Sequence, residues 1–315
     1  MYKLTIFTPT YNRAYILGQL YDSLCRQTKP DFKWLIVDDG STDNTRELVE
    51  QWQAEQKIDM RYIWQENGGK MRAHNNAVLH CETELFICVD SDDYLTANAV
   101  ELIYSKWEEV KSLSNISGIV AYRGWAELEH TIGTIPLSPA RHCEERSNLE
   151  NSNHNIIKKE FPAGVETSAL LKLYQHGFSG DTSLVFRTEI LKQYLFPEIA
   201  GEKFITEAYV YDQIDQHYRF AILRQPLIMC QYQPDGYTQH ANKLFKENPK
   251  GWALYYNQRA KYSIRLKEKL VLIAKYVCFS LMAKNKHIIK NSNFPFLTLC
   301  CFPLGYYYKI RRYEK

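Results

Sequence analysis

The sequence predicts an α/β fold in which a mostly parallel sheet is covered by helices. Strand and helix patterns alternate over the first hundred residues, and several strands are short apolar runs of the kind buried in parallel sheets. Hydrophobic residues make up 45% of the 315-residue chain and charged residues 24%, which excludes disorder of the whole chain. At roughly 100–200 residues per domain, this length predicts about two domains.

The predicted elements follow one another in a βαβ rhythm. Short apolar runs predict four strands, at Leu4–Thr8, Trp34–Val37, Arg61–Trp64 and Leu85–Val89. Helical spacing and capping residues predict helices at 14–27, about 44–55, 71–80 and 96–112. A further strand is predicted at Ile116–Tyr122. Because such strands pair in parallel through right-handed crossovers, this part is expected to form one parallel sheet.

The rest of the chain differs in composition and charge. Residues 138–160 are polar and aperiodic and predict an inserted loop, residues 165–240 return to mixed α/β character, and the pattern is helical from 252 onward. Residues 241–315 hold 16 Lys/Arg against three Asp/Glu, so a globule of net charge −10 carries a tail of net charge +13. Such asymmetry predicts an anionic partner for the tail, either a membrane surface or nucleic acid.

Cysteine usage and hydropathy bear on the compartment. None of the eight cysteines forms a C-x-x-C pair, so the usual zinc spacing is absent, and the nine histidines show no metal spacing either. The N-terminus lacks the pattern of a signal peptide, which favours the reducing cytoplasm. No apolar run reaches the ~20 residues needed to span a bilayer.

Polar and charged residues follow each of the first four strands. They are Thr8–Arg13, Asp38–Ser41, Glu66–Lys70 and Asp90–Asp93. Ligands of open parallel sheets bind beyond the carboxyl ends of the strands, so these residues are expected at one edge. Their five aspartates would repel one another unless a cation binds, and carboxylates suit Mg²⁺ or Mn²⁺, which often completes its shell with phosphates. The pattern therefore predicts a nucleotide-diphosphate site, although neither G-x-G-x-x-G nor a P-loop is present.

Three of these segments resemble motifs of family 2 glycosyltransferases of the GT-A fold. They are Phe7–Arg13, Val37–Asp43 and Asp90–Asp93, in this order and each at a strand end. The resemblance is strong over about 3–125 and weaker over 165–240. It implies a GT-A, Rossmann-like sheet with helices on both faces. Residues 1–125 would form the nucleotide-sugar-binding half and residues 126–240 the acceptor-binding half, while 241–315 would be a basic helical, membrane-associating tail.

The resemblance also implies a donor site. Tyr11 would stack on the base, and Asp39 would accept a hydrogen bond from it. Arg72, with Lys70 as the second choice, would face the phosphates or the base. Asp92 would bind the cofactor, Mn²⁺ or Mg²⁺, and Asp90 would bind either the ribose or the same metal. The full set of nucleotide-sugar-binding candidates is Thr8, Pro9, Thr10, Tyr11, Asn12, Asp38, Asp39, Lys70, Arg72, Asp90 and Ser91.

The general base follows from the same resemblance. Glu207 lies in a stretch that looks like the family's acceptor half, and it would deprotonate the acceptor hydroxyl for an inverting displacement. The family often has a Glu-Asp pair here, whereas Ala208 follows Glu207, so Asp181 and Asp212 stand as alternatives. The Q-x-x-R-W motif of processive members is missing, since Gln258–Arg259 has neither its spacing nor its Trp. Addition of a single sugar is therefore expected.

Each motif also has a purely structural interpretation. Asp38–Ser41 could form only a turn with a helix cap, and Asp93 is expected to cap the next helix. Tyr11 could be a core aromatic, Glu207 an exposed helix acid, and Arg72 part of a solvated face. The three motifs in order favour the functional interpretation.

The expected function is a metal-dependent, inverting, non-processive glycosyltransferase. It would move a sugar from a nucleotide-diphosphate sugar, with UDP as the family's usual nucleotide, to a glycan or lipid-linked acceptor in cell-surface polysaccharide synthesis. A catalytically silent nucleotide-sugar-binding scaffold is the alternative, and a sugar nucleotidyltransferase is weaker because its Gly-rich N-terminal loop is missing. The basic, aromatic-rich tail favours the inner face of the cell membrane over nucleic acid, although its helix could instead pack on the globule.

Overall fold

The computed structural model describes residues 2–125, 160–230 and 241–313. The predicted insert at about 138–160 lies almost wholly outside these residues. Contacts among the described residues divide the chain into two compact units. The first unit contains 2–195 and 214–230, and the second contains 196–213 and 241–313. The predicted boundaries at 125 and 240 stay predictions.

One mixed sheet forms the centre of the first unit. In the described residues its strands are β1 (Leu4–Thr10), β2 (Lys33–Asp38), β3 (Asp59–Trp64), β4 (Leu85–Cys88), β5 (Tyr94–Leu95), β6 (Ile116–Trp125), β7 (Thr167–Ser168), β8 (Thr182–Arg187) and β9 (Arg219–Cys230). The strand order is β3-β2-β1-β4-β8-β6-β9-β5, and β7 also pairs with β9. The predicted strands β3, β2, β1 and β4 pair in parallel, as do β6 and β9, while β8 runs antiparallel to both β4 and β6. This arrangement confirms the predicted α/β fold.

Helices cover both faces of this sheet. They are α1 (Ala14–Cys25), α2 (Thr45–Glu55), α3 (Lys70–His80), α4 (Ala99–Val110), α5 (Leu170–Gln175) and α6 (Thr188–Leu191). Alternate residues of a strand point to opposite faces. Leu4 and Ile6 of β1 accordingly join the core formed with α1, α2 and α4, whereas the Phe7 ring meets the ring of His74 on α3 at 5.7 Å. Burial on both faces explains why Trp34–Val37 of β2 is a continuous apolar run.

Aromatic packing fixes α1 and α2 on the sheet. Tyr21 of α1 stacks on Trp52 of α2 with ring centroids 4.4 Å apart, and both rings contact the fully buried Trp34 of β2. The Trp34 indole N–H donates to Thr8 Oγ1 at 3.0 Å, so its polar atom is satisfied. Each such side chain contributes on the order of 2–3 kcal/mol by burial. The core thereby holds the carboxyl ends of β1 and β2 in place.

The second unit is helical, as predicted for the end of the chain. It contains α8 (Ala241–Glu247), α9 (Pro249–Tyr262), α10 (Leu266–Met282) and α11 (Pro295–Tyr313), together with most of α7 (Ala208–Ile214). Gly305 of α11 lies against α10, because a Cβ there would stand 2.5 Å from Val277 Cβ. Of the helices in the described ranges, none combines the length and the hydropathy that crossing a membrane requires.

Candidate active site

The carboxyl ends of β1, β2 and β4 meet at one edge of the sheet, as predicted. Thr10, the last residue of β1, pairs in register with Asp38, the last residue of β2. Val89, directly after β4, donates its N–H to the carbonyl of Phe7 at 2.8 Å. The three motif-bearing segments therefore leave the sheet at the same edge, where open α/β sheets bind ligands.

Asp38 is buried and stabilises the turn after β2. Its Oδ1 accepts the N–H of Ser41 at 2.7 Å, and its Oδ2 accepts the hydroxyl of Tyr62. Burial and this bond to Asp38 raise the pKa of Tyr62. Gly40 completes the turn with φ of 85°, and a Cβ there would lie 2.9 Å from the backbone nitrogen of Asn67. The turn interpretation thus describes Asp38, which supports the strand end.

Asp39 organises the loop that follows β3. It is 4% exposed, and its Oδ1 accepts from Gln65 Nε2 at 2.7 Å and from the N–H of Gly68 at 2.9 Å. Its Oδ2 accepts from the N–H of Gly69 at 2.7 Å. A carboxylate offers about four acceptor positions, so Oδ2 retains one for a ligand N–H.

Asn12 fastens the loop after β1 to the loop after β2. Its Oδ1 accepts the N–H groups of Thr42 at 2.8 Å and Asp43 at 3.3 Å, and its own N–H donates to Ser41 Oγ at 2.9 Å. Asp43 accepts the N–H of Ala14 at 3.1 Å in return. Asn12 has φ of 54°, a left-handed conformation that Asn adopts more readily than most residues. The structure thus gives Asn12 a loop-fixing role, and its contact with a nucleotide stays a prediction.

The β1 candidates differ in what they can offer a ligand. Thr8 and Pro9 are buried, and Thr8 is engaged by Trp34. Thr10 is buried as well, but its Oγ1 has no hydrogen-bond partner among the described residues. Tyr11 is 48% exposed, so its interpretation as a core aromatic is wrong and its ring is open to stacking.

Two cations hold Asp90 at the end of β4. Lys70 Nζ lies 2.7 Å from Oδ1 and 3.0 Å from Oδ2 of Asp90, and Arg123 Nη2 lies 3.8 Å from Oδ2. Burial alone raises the pKa of Asp90, but Lys70 and Arg123 outweigh burial and hold this pKa below its usual value. Lys70 begins α3 directly after Gly69, whose φ of 94° favours glycine.

The neighbouring acids have different environments. Asp92 is partly buried, and among the described residues no cation lies within ion-pair distance of it. Burial and the adjacent Asp90 raise the pKa of Asp92. Asp93 pairs with Arg123 at 2.7 Å, yet burial raises its pKa to about 7. The expectation that Asp93 caps the next helix is wrong, since α4 begins at Ala99, five residues beyond Tyr94.

This acid set fits a divalent cation shared with a phosphate ligand. Asp90 and Asp92 flank the buried Ser91, and the charge on Asp92 is disfavoured as long as no cation offsets it. Within the part of the chain that the structure describes, no three His, Cys, Asp or Glu side chains are arranged to hold a metal. Mg²⁺ is usually bound by one or two carboxylates plus substrate phosphates, which matches this arrangement.

Two arginines lie near this edge, one predicted beside Gly68 and one not predicted beside the acids after β4. Arg72 is exposed on α3 and forms no ion pair with the described residues, and its Cδ lies 2.3 Å from where a Cβ on Gly68 would stand. Arg123 of β6 was not singled out from the sequence. It joins Asp90 and Asp93, and its N–H donates to the carbonyl of Asp181 at 3.1 Å. The sequence signal that could have found it is its position: Arg123 follows the apolar run Ile116–Tyr122 that predicts a strand, as aspartates follow the runs of β2 and β4.

The three candidates for the general base lie in different parts of the chain. Asp181 precedes β8 in the first unit, where its carbonyl contacts Arg123. Glu207 belongs to the second unit and opens α7, because its carbonyl accepts the N–H of Val210 at 3.1 Å. Asp212 is buried and forms an ion pair with Arg259, so it already has a structural partner. Burial raises the pKa of Asp212 in spite of Arg259.

The strand-end motifs and the mixed α/β sheet together define a glycosyltransferase of the GT-A fold. The sequence matches the family model described as Glycosyl transferase family 2 over residues 5–172, more than half of the chain. The chain therefore belongs to that family, which confirms the resemblance derived from its motifs.

Named relatives match about a third of the chain. It is 32% identical over 103 residues to the poly(ribitol-phosphate) β-N-acetylglucosaminyltransferase TarS of Staphylococcus aureus, covering 32% of this chain and 18% of that protein. It is also 32% identical over 107 residues to the glycosyltransferase GlyG of Streptococcus pneumoniae, covering 34% and 35%. The crystal structure of TarS residues 1–349 aligns with a TM-score of 0.56 at 18% identity, covering 99% of this chain and 89% of that one. This likeness shows a shared fold, and the matched sequence spans only a part of either relative.

Proposed function

We propose that this chain transfers one sugar from a nucleotide-diphosphate sugar to a glycan or lipid-linked acceptor in cell-surface polysaccharide synthesis. The observation that carries the proposal is Asp92, a partly buried acid with a raised pKa beside Asp90, at the sheet edge from which Tyr11 extends. The name of TarS, a β-N-acetylglucosaminyltransferase, supports sugar transfer, and that of a second relative, a teichoic acid poly(glycerol phosphate) polymerase, supports synthesis of a cell-surface polymer.

The donor is proposed to be a UDP-sugar. The exposed ring of Tyr11 stacks on the base, while Asp39 Oδ2 and the unpartnered Thr10 Oγ1 offer it hydrogen bonds. The exposed guanidinium of Arg72 binds the diphosphate. TarS has been crystallised with UDP and with UDP-GlcNAc, which supports this choice of nucleotide.

Asp92 and Asp90 are proposed to hold a divalent cation, Mn²⁺ or Mg²⁺. When bound, such an ion offsets charge on the leaving diphosphate and orients it. Lys70 and Arg123 already keep Asp90 ionised and in place for this role. Asp92 then loses the burial and repulsion cost of its charge when the donor arrives.

Glu207 is proposed as the general base, with Asp181 as the alternative. The acceptor hydroxyl oxygen attacks the anomeric carbon while its proton passes to the carboxylate. The new carbon–oxygen bond forms as the bond to the diphosphate oxygen breaks, and the diphosphate leaves with the electron pair. A direct displacement of this kind inverts the anomeric configuration, and we propose that one sugar is added to each acceptor.

The basic C-terminal region is proposed to place the enzyme at the anionic inner face of the cell membrane. Its net charge of +13 over 241–315 favours such a surface, at about 1 kcal/mol for each Lys or Arg close to it. A lipid-linked acceptor would be presented there.

The first test is a calorimetric titration of the full chain with UDP, GDP, CMP and their sugars, with Mn²⁺ and with EDTA. We expect metal-dependent binding of a uridine nucleotide by the wild type. Asp92→Asn should lose the metal dependence, and Asp59→Asn, an exposed acid on β3, serves as the matched control. Absence of binding to any nucleotide by folded protein would contradict the proposal.

A catalytically silent scaffold is the second candidate, because Ala208 follows Glu207 where the family often keeps a second acid. The two candidates differ in turnover. A glycosyltransferase hydrolyses its donor slowly without acceptor and transfers the sugar when acceptor is present, whereas a scaffold binds the donor and returns it intact. Chromatography of the nucleotide after long incubation with pure protein distinguishes them.

A further inference from the structure

One continuous face of helix α11 is not covered by the other residues that the structure describes. The exposed residues of α11 between 296 and 310 are all uncharged. They are Phe296, Leu299, Cys300, Pro303, Leu304, Tyr306, Tyr307 and Ile310. At about 100° per residue, these positions fall within a single arc of about 160°. Phe296 is 76% exposed and Leu299 is 58% exposed, so these side chains are mostly in solvent and are not partly buried residues at the edge of the core. The opposite side, with Thr298, Cys301 and Gly305, is buried.

The charged residues of α11 itself have one sign. Helix α11 contains no acidic residue between Pro295 and Tyr313, and it ends in Lys309, Arg311 and Arg312. Arg311 Nη1 donates to the Tyr307 hydroxyl at 2.7 Å, which holds the cation beside the exposed aromatic rings. Aromatic and aliphatic side chains next to arginine and lysine are typical of helices that lie in a membrane interface.

Two further exposed apolar residues lie near the beginning of α11. Cys301 Sγ contacts the Leu270 carbonyl and Gly305 packs on Val277, so α10 and α11 run alongside each other in the same direction. Just before and at the start of α10, Ile264 is 86% exposed and Leu266 is exposed too. The surrounding segment 261–269 carries four cations and one acid.

We propose that the exposed face of α11, with Ile264 and Leu266 beside its beginning, is the surface on which this protein lies on an anionic lipid membrane. The apolar and aromatic side chains enter the boundary between headgroups and acyl chains, while the arginines and lysines meet the lipid phosphates. Charge favours an anionic surface over a second copy of this chain as the occupant, because α11 has no acid between Pro295 and Tyr313 that could pair with the cations of a second α11. The inference rests on the proposed membrane location and is independent of the proposed glycosyl transfer.

The test is co-sedimentation of the full chain with phosphatidylcholine vesicles that contain or lack phosphatidylglycerol. Wild-type protein is expected to sediment with the anionic vesicles and to be released by high salt. Leu299→Ser and Phe296→Ser should each weaken this binding about tenfold, the effect of leaving one large apolar side chain in water. Leu79→Ser is the matched control, since Leu79 is a helical leucine that is also 58% exposed and lies on α3.

The outcomes separate the proposals. Failure of the wild type to bind anionic vesicles overturns both the membrane location and this surface. Equal binding by Leu299→Ser, Phe296→Ser and Leu79→Ser overturns the surface alone. Concentration-dependent self-association without lipid, lost in Leu299→Ser, assigns the face to a second copy and also overturns it. UDP titration of each variant reports the donor site separately and should be unchanged in all of them.

Discussion

Two strand ends in the same sheet carry adjacent aspartates and satisfy them by different means. After β2, Asp38 and Asp39 accept hydrogen bonds from neutral donors, namely backbone N–H groups, a tyrosine and a glutamine. After β4, Asp90 and Asp93 are paired with Lys70 and Arg123, and Asp92 has no cation partner among the described residues. Both strand ends carry acids, so the acids alone do not tell them apart. Their hydrogen-bond and ion-pair partners do: the acids after β2 fix loops, and those after β4 form the candidate cation site.

The largest expected effect comes from removing the carboxylate of Asp92. Asp92→Asn should lower the rate of sugar transfer about a thousandfold, because a bound cation contributes several kcal/mol and each 1.36 kcal/mol is tenfold in rate. Its stability should stay equal to that of the wild type or rise, since burial and Asp90 already disfavour the charge. Initial rates and urea denaturation measure both quantities. Normal transfer by Asp92→Asn would remove the β4 end from the proposed mechanism.

Removing the guanidinium of Arg123 should destabilise the loop that follows β4. Arg123→Gln leaves Asp90 and Asp93 without the guanidinium that pairs with them, and loss of one partner of a largely buried ion pair costs about 3 kcal/mol. The double variant Arg123→Gln with Asp93→Asn should recover part of that loss, because one uncompensated acid is gone. Urea denaturation of the single and double variants tests this coupling, and strictly additive losses would contradict it.

Much of this comparison could be predicted from the sequence, but not its partners. The strands β1 to β4 are short runs rich in apolar and β-branched residues, so their parallel pairing and the meeting of their carboxyl ends followed from local patterns. Arg123 reaches Asp90 only because β8 pairs antiparallel between β4 and β6, a long-range arrangement without a local signal. The two-residue strand β5 is likewise too short to carry a period. The hydrogen bonds that Asp39 accepts depend on how the loop after β3 brings the N–H groups of Gly68 and Gly69 close to it. The spacing of residues in the sequence does not specify that loop path.

The β2 end should respond to a change that keeps shape and removes charge. Asp39→Asn replaces an acceptor oxygen by an NH₂ group facing N–H donors, which should lower the free energy of unfolding by about 2 kcal/mol. This is the opposite of the result expected for Asp92→Asn, although both changes are the same isosteric substitution. Paired urea denaturation curves provide the comparison. Equal stability of the two variants would mean that the strand ends do not differ as described.

The smallest expected effect concerns Tyr11, which follows β1 and takes no part in the hydrogen bonds that the described residues make at the β2 and β4 ends. Its ring is half exposed, so Tyr11→Leu should leave the free energy of unfolding nearly unchanged. Loss of base stacking should weaken binding of UDP by about 1 kcal/mol, roughly fivefold, by analogy with stacking of bases on aromatic side chains. Tyr11→Phe keeps the ring and should retain affinity, which separates stacking from any bond made by the hydroxyl. Calorimetric titration of the three proteins measures this, and equal affinity for Tyr11→Leu would place the base away from Tyr11.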